Sequence, residues 1–446
     1  MSDTRVDAVE AEIDRRGVHG LQIRVAVLCA IVLALDGFDI AAMGFALPSL
    51  AESWKIAPST LTGALVAANV GMLIGALASG PLGDRFGRKP VFMVDVAVFG
   101  IFSLLSAACH TVELLTAARF LTGLGLGGGV PLAIALTSDY SPKKHQPKLV
   151  AIMTVGVQCG MVGGGLLVAE LLPIYGWQSV FVVGGVLPLA ILPLLYFLLP
   201  ESLQFMTAQG RSSRLTDGMM GRNNAARQSG GEVLLRKNPV AELFRNGLTP
   251  VTLLLWVMFA CNFLSTYLIT LWLPTILRSY GYGLGEAVFA TTLFSLAGGL
   301  CALVLGWPIA RWGSERVIAI NLCIGVAAVL WLAVGGQQSH AMTLLSIFMA
   351  GIGISGSQAG MNALSGAAYP SLIRSSGSGW ALGIGRLGNI FGPLLGGLLL
   401  GYGYPPTAIF LCGAVPVAIA AAAMLSLGLL RGNPVPDQTL AAPRLH

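Results

Sequence analysis

Twelve apolar runs, each about as long as a bilayer is thick, leave this chain few folds to choose from. They occupy 25–48, 59–82, 90–109, 112–138, 148–172, 177–199, 249–275, 286–310, 317–335, 341–366, 377–400 and 407–430. A helix crosses hydrocarbon with about 20 residues. Inside it every backbone amide must be satisfied internally, so only helices and closed barrels span. Barrel strands are about half this length and alternate in polarity, as these runs do not. The predicted fold class is an all-α polytopic membrane protein with twelve transmembrane helices. Composition agrees: 10% of residues are charged, against about 25% in a soluble domain. A water-soluble enzyme is thereby excluded.

The charges also orient the chain. If the N-terminus is cytoplasmic, 22 of the 26 Lys and Arg fall on that side, two lie opposite (Lys55, Arg278) and two sit inside spans (Arg119, Arg386). The positive-inside rule therefore predicts that both termini are cytoplasmic. The net charge of +6 reflects this topology, not a nucleic-acid partner. The polar stretch through Arg24 predicts no cleavable signal, and the first apolar run is retained. The seven cysteines lie scattered in apolar runs and the five histidines in tails or loops. Neither set has metal-ligand spacing, and no metal or cofactor is expected. The longest loop divides the spans six and six. The predicted units are a tail (1–24), a six-helix bundle (25–200), a cytoplasmic linker (201–247), a second six-helix bundle (248–431) and a C-terminal tail (432–446).

The two halves repeat. Gly80-Pro-Leu-Gly-Asp84-Arg85-Phe-Gly87-Arg88-Lys89 after the second run is echoed by Gly306-Trp-Pro-Ile-Ala310-Arg311-Trp-Gly313 after the eighth, without the acid or the basic pair. Gly123, Gly125, Gly128 and Pro142 find Gly351, Gly353, Gly356 and Pro370 at an offset of 228. Gly160 and Gly164 likewise find Gly388 and Gly392, while Arg119 falls on Ile347 and Arg386 on Gln158. Paired six-helix repeats are an architecture of secondary transporters, in which glycines let helices approach closely. The first half keeps Asp36, Asp39, Arg119 and Asp139, whereas the second keeps only Arg386 deep within its spans. Proton chemistry is expected in the first half and much of the substrate contact in the second.

An ionisable group in mid-bilayer costs at least about 2.5 kcal/mol, so each needs a partner, a cavity or a neutralising proton. Asp36 and Asp39 share a helix face. At 1.5 Å per residue they lie nearly level with Arg119. Two carboxylates side by side in low dielectric do not both ionise cheaply, which suits the pair to carrying a proton with Arg119 as competitor. The alternative is a static buried salt bridge with Arg119. No Asp or Glu lies deep within spans seven to twelve to pair with Arg386, and its planar fork suits a substrate carboxylate. The alternative is a packing arginine bonded to backbone carbonyls.

The segment Gly80–Lys89 resembles the loop signature of the major facilitator superfamily at every fixed position, and Arg119-x-x-x-Gly123-x-Gly125 resembles its fourth-helix motif. Asp36-Gly-Phe-Asp39, Pro200-Glu-Ser and Gly385-Arg386-Leu-Gly388 are similar to one branch, the aromatic acid:proton symporters. The resemblance covers about 25–430. It implies two pseudo-symmetric bundles and no enzymatic activity. The implied function is proton-coupled import of an aromatic carboxylate by a monomer in a bacterial inner membrane. Proton-driven export of a drug or other organic anion is the alternative, disfavoured by the absence of a Gly-Pro pair in Gly156–Gly163. An aromatic substrate would need flat apolar walls and a few polar contacts. Phe259, Asn262, Phe263 and Tyr267 in the seventh span and Gln358 and Asn362 in the tenth are the candidates, though such a stripe also suits core or lipid. The resemblance further implies that Asp84, Arg85 and Arg88, with Asp139, form a latch that breaks on switching.

Overall fold

The computed structural model describes residues 19–142, 145–202, 205–206, 242–245, 247–335, 339–370 and 373–432. Most of the predicted linker and of both tails lies outside the described residues. Among the described residues, twelve helices are long and apolar enough to cross a membrane. They are α1 (Gly20–Trp54), α2 (Thr62–Phe86), α3 (Arg88–Ala107), α4 (Val112–Tyr140), α5 (Gln146–Tyr175), α6 (Gln178–Leu198), α7 (Thr249–Ser279), α8 (Leu284–Val304), α9 (Ser314–Gly335), α10 (His340–Ala368), α11 (Arg374–Gly401) and α12 (Pro406–Gly432). Most outrun their apolar cores by a few residues. Two depart from the simple reading. The eighth stops at Val304 rather than 310, and Gly306–Trp312 forms a separate short helix. Pro308 has no N–H to offer the carbonyl of Val304, and Gly306 is a weak helix former. The tenth carries a π-helical turn over Gly351–Ser355.

Each half packs by the same scheme: α2 on α4, α1 on α5 and α3 on α6, then α8 on α10, α7 on α11 and α9 on α12. The repeat extends to single contacts. A Cβ on Gly160 would overlap the carbonyl oxygen of Ala34, and one on Gly388 that of Ala260. Gly164 meets Phe38 as Gly392 meets Leu264, and Gly123 meets Ala68 as Gly351 meets Phe294. Gly125 sits against Asp95 and Phe99, and Gly353 against Asn321 and Gly325. The glycine-bearing helices α4, α5 and α10, α11 thus correspond at an offset of 228, and their partners at 226. Close approach of backbones at small residues is what aligns helices where lipid supplies no hydrophobic drive.

That second offset relates Asp36 to Asn262, Asp39 to Ser265 and Asp95 to Asn321. Three acids of the first bundle face neutral polar residues at the same places in the second.

The bundles meet through α1 on α7, α2 on α11 and α5 on α8. Their contacts gather at the end away from the termini. There Gly44 reaches the backbone of Thr270 and Leu271, Gly285 that of Ala169, and Gly397 the side chain of Thr62. Arg278 Nη2 pairs with Glu52 across the same seam at 2.6 Å. Contact persists to mid-depth, where Gln158 Nε2 donates to Ser355 Oγ at 3.4 Å. Toward the end carrying the termini, positions Gly80 on α2 and Gly379 and Gly383 on α11 face open space. Among the described residues, the contacts between the halves thus gather at the far end.

Candidate functional site

The centre of the first bundle holds a saturated cation. Arg119 is fully buried. Its Nη1 donates to both oxygens of Asp39 at 3.2 and 3.3 Å, Nε donates to Ser106 Oγ at 3.2 Å, and Nη2 to Thr122 Oγ1 at 2.9 Å. The guanidinium lies over the Phe181 ring at 4.7 Å, and Ser103 adds a further hydrogen bond to Asp39 Oδ1 at 3.2 Å. A buried pair is sustained only when its remaining donors and lone pairs are met in this way.

Asp36, one turn away on α1, shares none of this. It is 3% exposed, and neither carboxyl oxygen has a hydrogen-bond partner. The structure therefore divides the aspartates read as one pair: Arg119 engages Asp39 alone. Asp36 faces α4 instead, where a Cβ on Gly129 would overlap its Oδ2. Buried polar atoms without partners are rare enough in native proteins to need a specific explanation.

A second such acid was absent from the sequence reading. Asp95 of α3 is 9% exposed, with Oδ2 unpartnered, and it lies beside Ser79 of α2. Its signal was present, since it is a lone carboxyl within an apolar run like Asp36. Nothing in its local sequence distinguishes it from a residue near the membrane surface, and only packing places it against α4.

In the second bundle the candidates gather around α7, α10 and α11. Arg386 makes no hydrogen bond or ion pair among the described residues, and its Nη1 is sealed from solvent without a partner. The reading in which backbone carbonyls hold it is not what the structure displays. Tyr267 lies within electrostatic reach of it. Asn262 Nδ2 donates to Gln358 Oε1 at 3.0 Å, and Gln358 Nε2 donates to Asn362 Oδ1 at 3.1 Å, linking α7 to α10 in one polar chain. Asn262 Oδ1 and, across the seam, Gln158 Oε1 remain buried and unpartnered. The aromatic stripe is partly core. Phe259 is fully buried, Phe263 packs on Gly385 and Gly388 of α11, and Tyr267 continues the row at 6.5 Å from Phe263.

At the end bearing the termini, the loop residues separate into two groups. Arg88 Nη1 meets Asp139 Oδ2 at 2.6 Å, and Ser202 also donates to that oxygen. Glu201 accepts from the Lys89 amide at 3.0 Å, and its carbonyl takes the Tyr140 hydroxyl at 2.5 Å. Asp84 is exposed and, among the described residues, pairs with Arg88 at 3.7 Å, while Arg85 lies over Phe86 at 5.2 Å. Of the four residues read as a latch, the structure joins Arg88 and Asp139. It leaves Asp84 and Arg85 at the surface and adds Glu201 and Ser202, which a family resemblance alone had marked.

Comparison with known proteins agrees with this architecture. The family model described as Major Facilitator Superfamily matches residues 29–290 and 255–444. The chain is 38% identical over 433 residues to the 4-hydroxybenzoate transporter PcaK of Pseudomonas aeruginosa, covering 95% of this chain and 96% of that one. It is 37% identical over 443 residues to a gallate transporter of Pseudomonas putida, covering 98% of each. Among solved structures, the inward open xylose transporter XylE from E. coli superposes with a TM-score of 0.68 at 17% identity, covering 91% of this chain and 95% of that one. With twelve spans in two repeated bundles and matches of this extent, the chain belongs to the Major Facilitator Superfamily, a family of membrane transporters, and is not an enzyme.

Proposed function

We propose that the protein imports an aromatic carboxylate together with protons, by alternating access between the two bundles. The observation that carries this reading is Arg386: a cation in the middle of the second bundle, partly sealed, with no anion to hold among the described residues. A guanidinium fork binds both oxygens of a carboxylate and stays charged. The relatives named for 4-hydroxybenzoate and gallate support an aromatic substrate. In this reading Phe263 and Tyr267 flank the ring, and Phe259 supports them from the core. The Asn262–Gln358–Asn362 chain meets ring hydroxyls. Asp36 carries the proton, while Asp39 and Arg119 hold the bundle around it. Arg88 and Asp139 hold the first bundle as one body while it opens at the end that bears the termini, with Asp84 and Arg85 at the surface beside them. That end is the cytoplasmic one, as the charge bias favours, and the protein works as a monomer in the bacterial inner membrane.

Coupling then follows from charge. A monoanion entering with one proton moves no net charge, and the pH gradient alone drives it; with two protons the membrane potential adds about 2.3 kcal/mol per 100 mV. The test is uptake of labelled 4-hydroxybenzoate and related acids into proteoliposomes, with and without an imposed pH gradient, acidic outside. Accumulation that requires the gradient is expected. Substrate efflux driven by proton entry would establish the antiport reading instead, and uptake indifferent to pH would overturn proton coupling.

A further inference from the structure

Asp36 and Asp95 approach α4 at successive residues. A Cβ on Gly129 would overlap Asp36 Oδ2, and one on Gly128 would overlap Asp95 Oδ2 and Ser79. Both acids are more than nine-tenths buried, and both present unpartnered oxygens to this strip of bare backbone. The charged groups within electrostatic reach of Asp36 are Asp39 and Asp95, and the nearby cation, Arg119, is taken by Asp39. The two acids therefore face each other's surroundings with no cation to share among the described residues.

The second bundle serves as an internal control. Where the first has Asp36 and Asp95, it has Asn262 and Asn321, and in place of Gly129 it has Ser357. Those amides are engaged: Asn262 with Gln358, and Asn321 Nδ2 with Cys301 Sγ at 3.3 Å. The fold thus accepts neutral amides at both places, and packing does not demand carboxyls in the first bundle. What an acid offers that an amide does not is exchange of a proton. The three acids also descend in order. Asp36 is one turn nearer the terminus-bearing end than Asp39, and Asp95 is seven residues, about 10 Å, from the start of α3 at that end.

We infer that Asp95 is a second proton-carrying residue, which receives the proton from Asp36 past Gly128 and Gly129 and releases it at the terminus-bearing end, apart from the substrate's path between the bundles. The transfer balances simply: the Asp36 carboxyl O–H breaks as the Asp95 O–H forms, leaving Asp36 ionised and Asp95 neutral. The inference rests on the proton-coupled reading above, and the experiment separates the two.

Wild type, Asp95→Asn and Asp36→Asn are reconstituted with a pH-sensitive dye trapped inside. Proton entry on adding substrate, net uptake under a pH gradient, and substrate exchange at equal pH are followed in the same vesicles. Asp95→Asn is expected to slow net uptake and the accompanying proton entry by at least about tenfold, with exchange within about twofold of wild type. Preserved exchange shows that the variant is folded. Wild-type net uptake and proton entry in Asp95→Asn would overturn the assignment. Loss of exchange along with uptake would also overturn it, by making Asp95 structural. Absence of substrate-dependent proton entry in the wild type would overturn proton coupling itself, and this inference with it.

Discussion

Two aspartates three residues apart on α1 meet opposite fates, and substitution should tell them apart. Asp39→Asn leaves Arg119 buried with its charge uncompensated, and removing one partner of such a pair costs about 3–5 kcal/mol. Asp36→Asn breaks no hydrogen bond and copies the amide found at the equivalent place in the second bundle. Thermal unfolding in detergent is expected to show a large loss for Asp39→Asn and little for Asp36→Asn, while Asp36→Asn abolishes gradient-driven accumulation and spares exchange. Equal stability of the two variants would mean that the Arg119 pair contributes nothing. Arg386 provides the second residue-level prediction. Losing a buried charge-assisted pair should cost at least about 2 kcal/mol, or about 30-fold in affinity. Arg386→Ala and Arg386→Lys should both lose this for the acid, since an ammonium lacks the bidentate fork. The substrate's amide should lose little further on Arg386→Ala. Calorimetry of acid and amide on the three proteins decides, and equal losses for both ligands would assign Arg386 to the fold.

At the scale of helices, single glycines set the spacing. Gly160 of α5 faces the Ala34 carbonyl and Gly388 of α11 the Ala260 carbonyl, so neither neighbour can yield without moving a backbone. Gly163, one turn along α5, has nothing near its Cβ position. Overpacking of this kind costs about 1–3 kcal/mol. Gly160→Ala and Gly388→Ala are expected to lower the melting temperature, and Gly163→Ala to leave it unchanged or slightly raised. Helix propensity favours alanine at all three positions, so comparable loss at all three would show that the close contacts at Gly160 and Gly388 do not govern the effect. The repeat is imperfect where it matters most. The tenth span has a π-helical turn that its counterpart α4 lacks, and π-bulges concentrate at functional sites. It lies directly before Gln358, in the half to which substrate contact is assigned.

For the molecule as a whole, the seam between bundles is closed at the end away from the termini. The Glu52–Arg278 pair straddles the closed end at 2.6 Å, with the Glu52 side chain more than half exposed. Exposed pairs contribute about 0–1 kcal/mol. Glu52→Gln should therefore shift the balance toward states parted at this end by no more than about fivefold. Distances between spin labels on the ends of α1 and α7 are expected to report a growing long-distance population. An unchanged distribution would leave helix packing, through Gly44 and Gly397, as the sole closure. At the opposite end, Arg88, Asp139, Glu201 and Ser202 bind α2–α3, α4 and the chain after α6 within one bundle. This cluster stiffens the first bundle as a unit that can rock against the second.

The sequence by itself determined the twelve spans, the two halves, the side bias of charge and the isolation of Asp36, Asp39, Arg119 and Arg386 in hydrocarbon. All of these are local properties. The bilayer makes an apolar run legible by its length and a buried charge conspicuous by its cost, whatever the neighbouring helices do. Tertiary structure decided which aspartate Arg119 engages across 80 residues of chain, that Asp95 joins Asp36 along the bare backbone of Gly128 and Gly129, and that Arg386 meets no carbonyl. It also decided that Asp84 and Arg85 stand outside the Arg88–Asp139 cluster. Hydropathy places a helix across the membrane but says little about its rotation around its own axis. That rotation is set where glycines let one backbone lie against another, and it alone selects which side chains face each other inside the bundle.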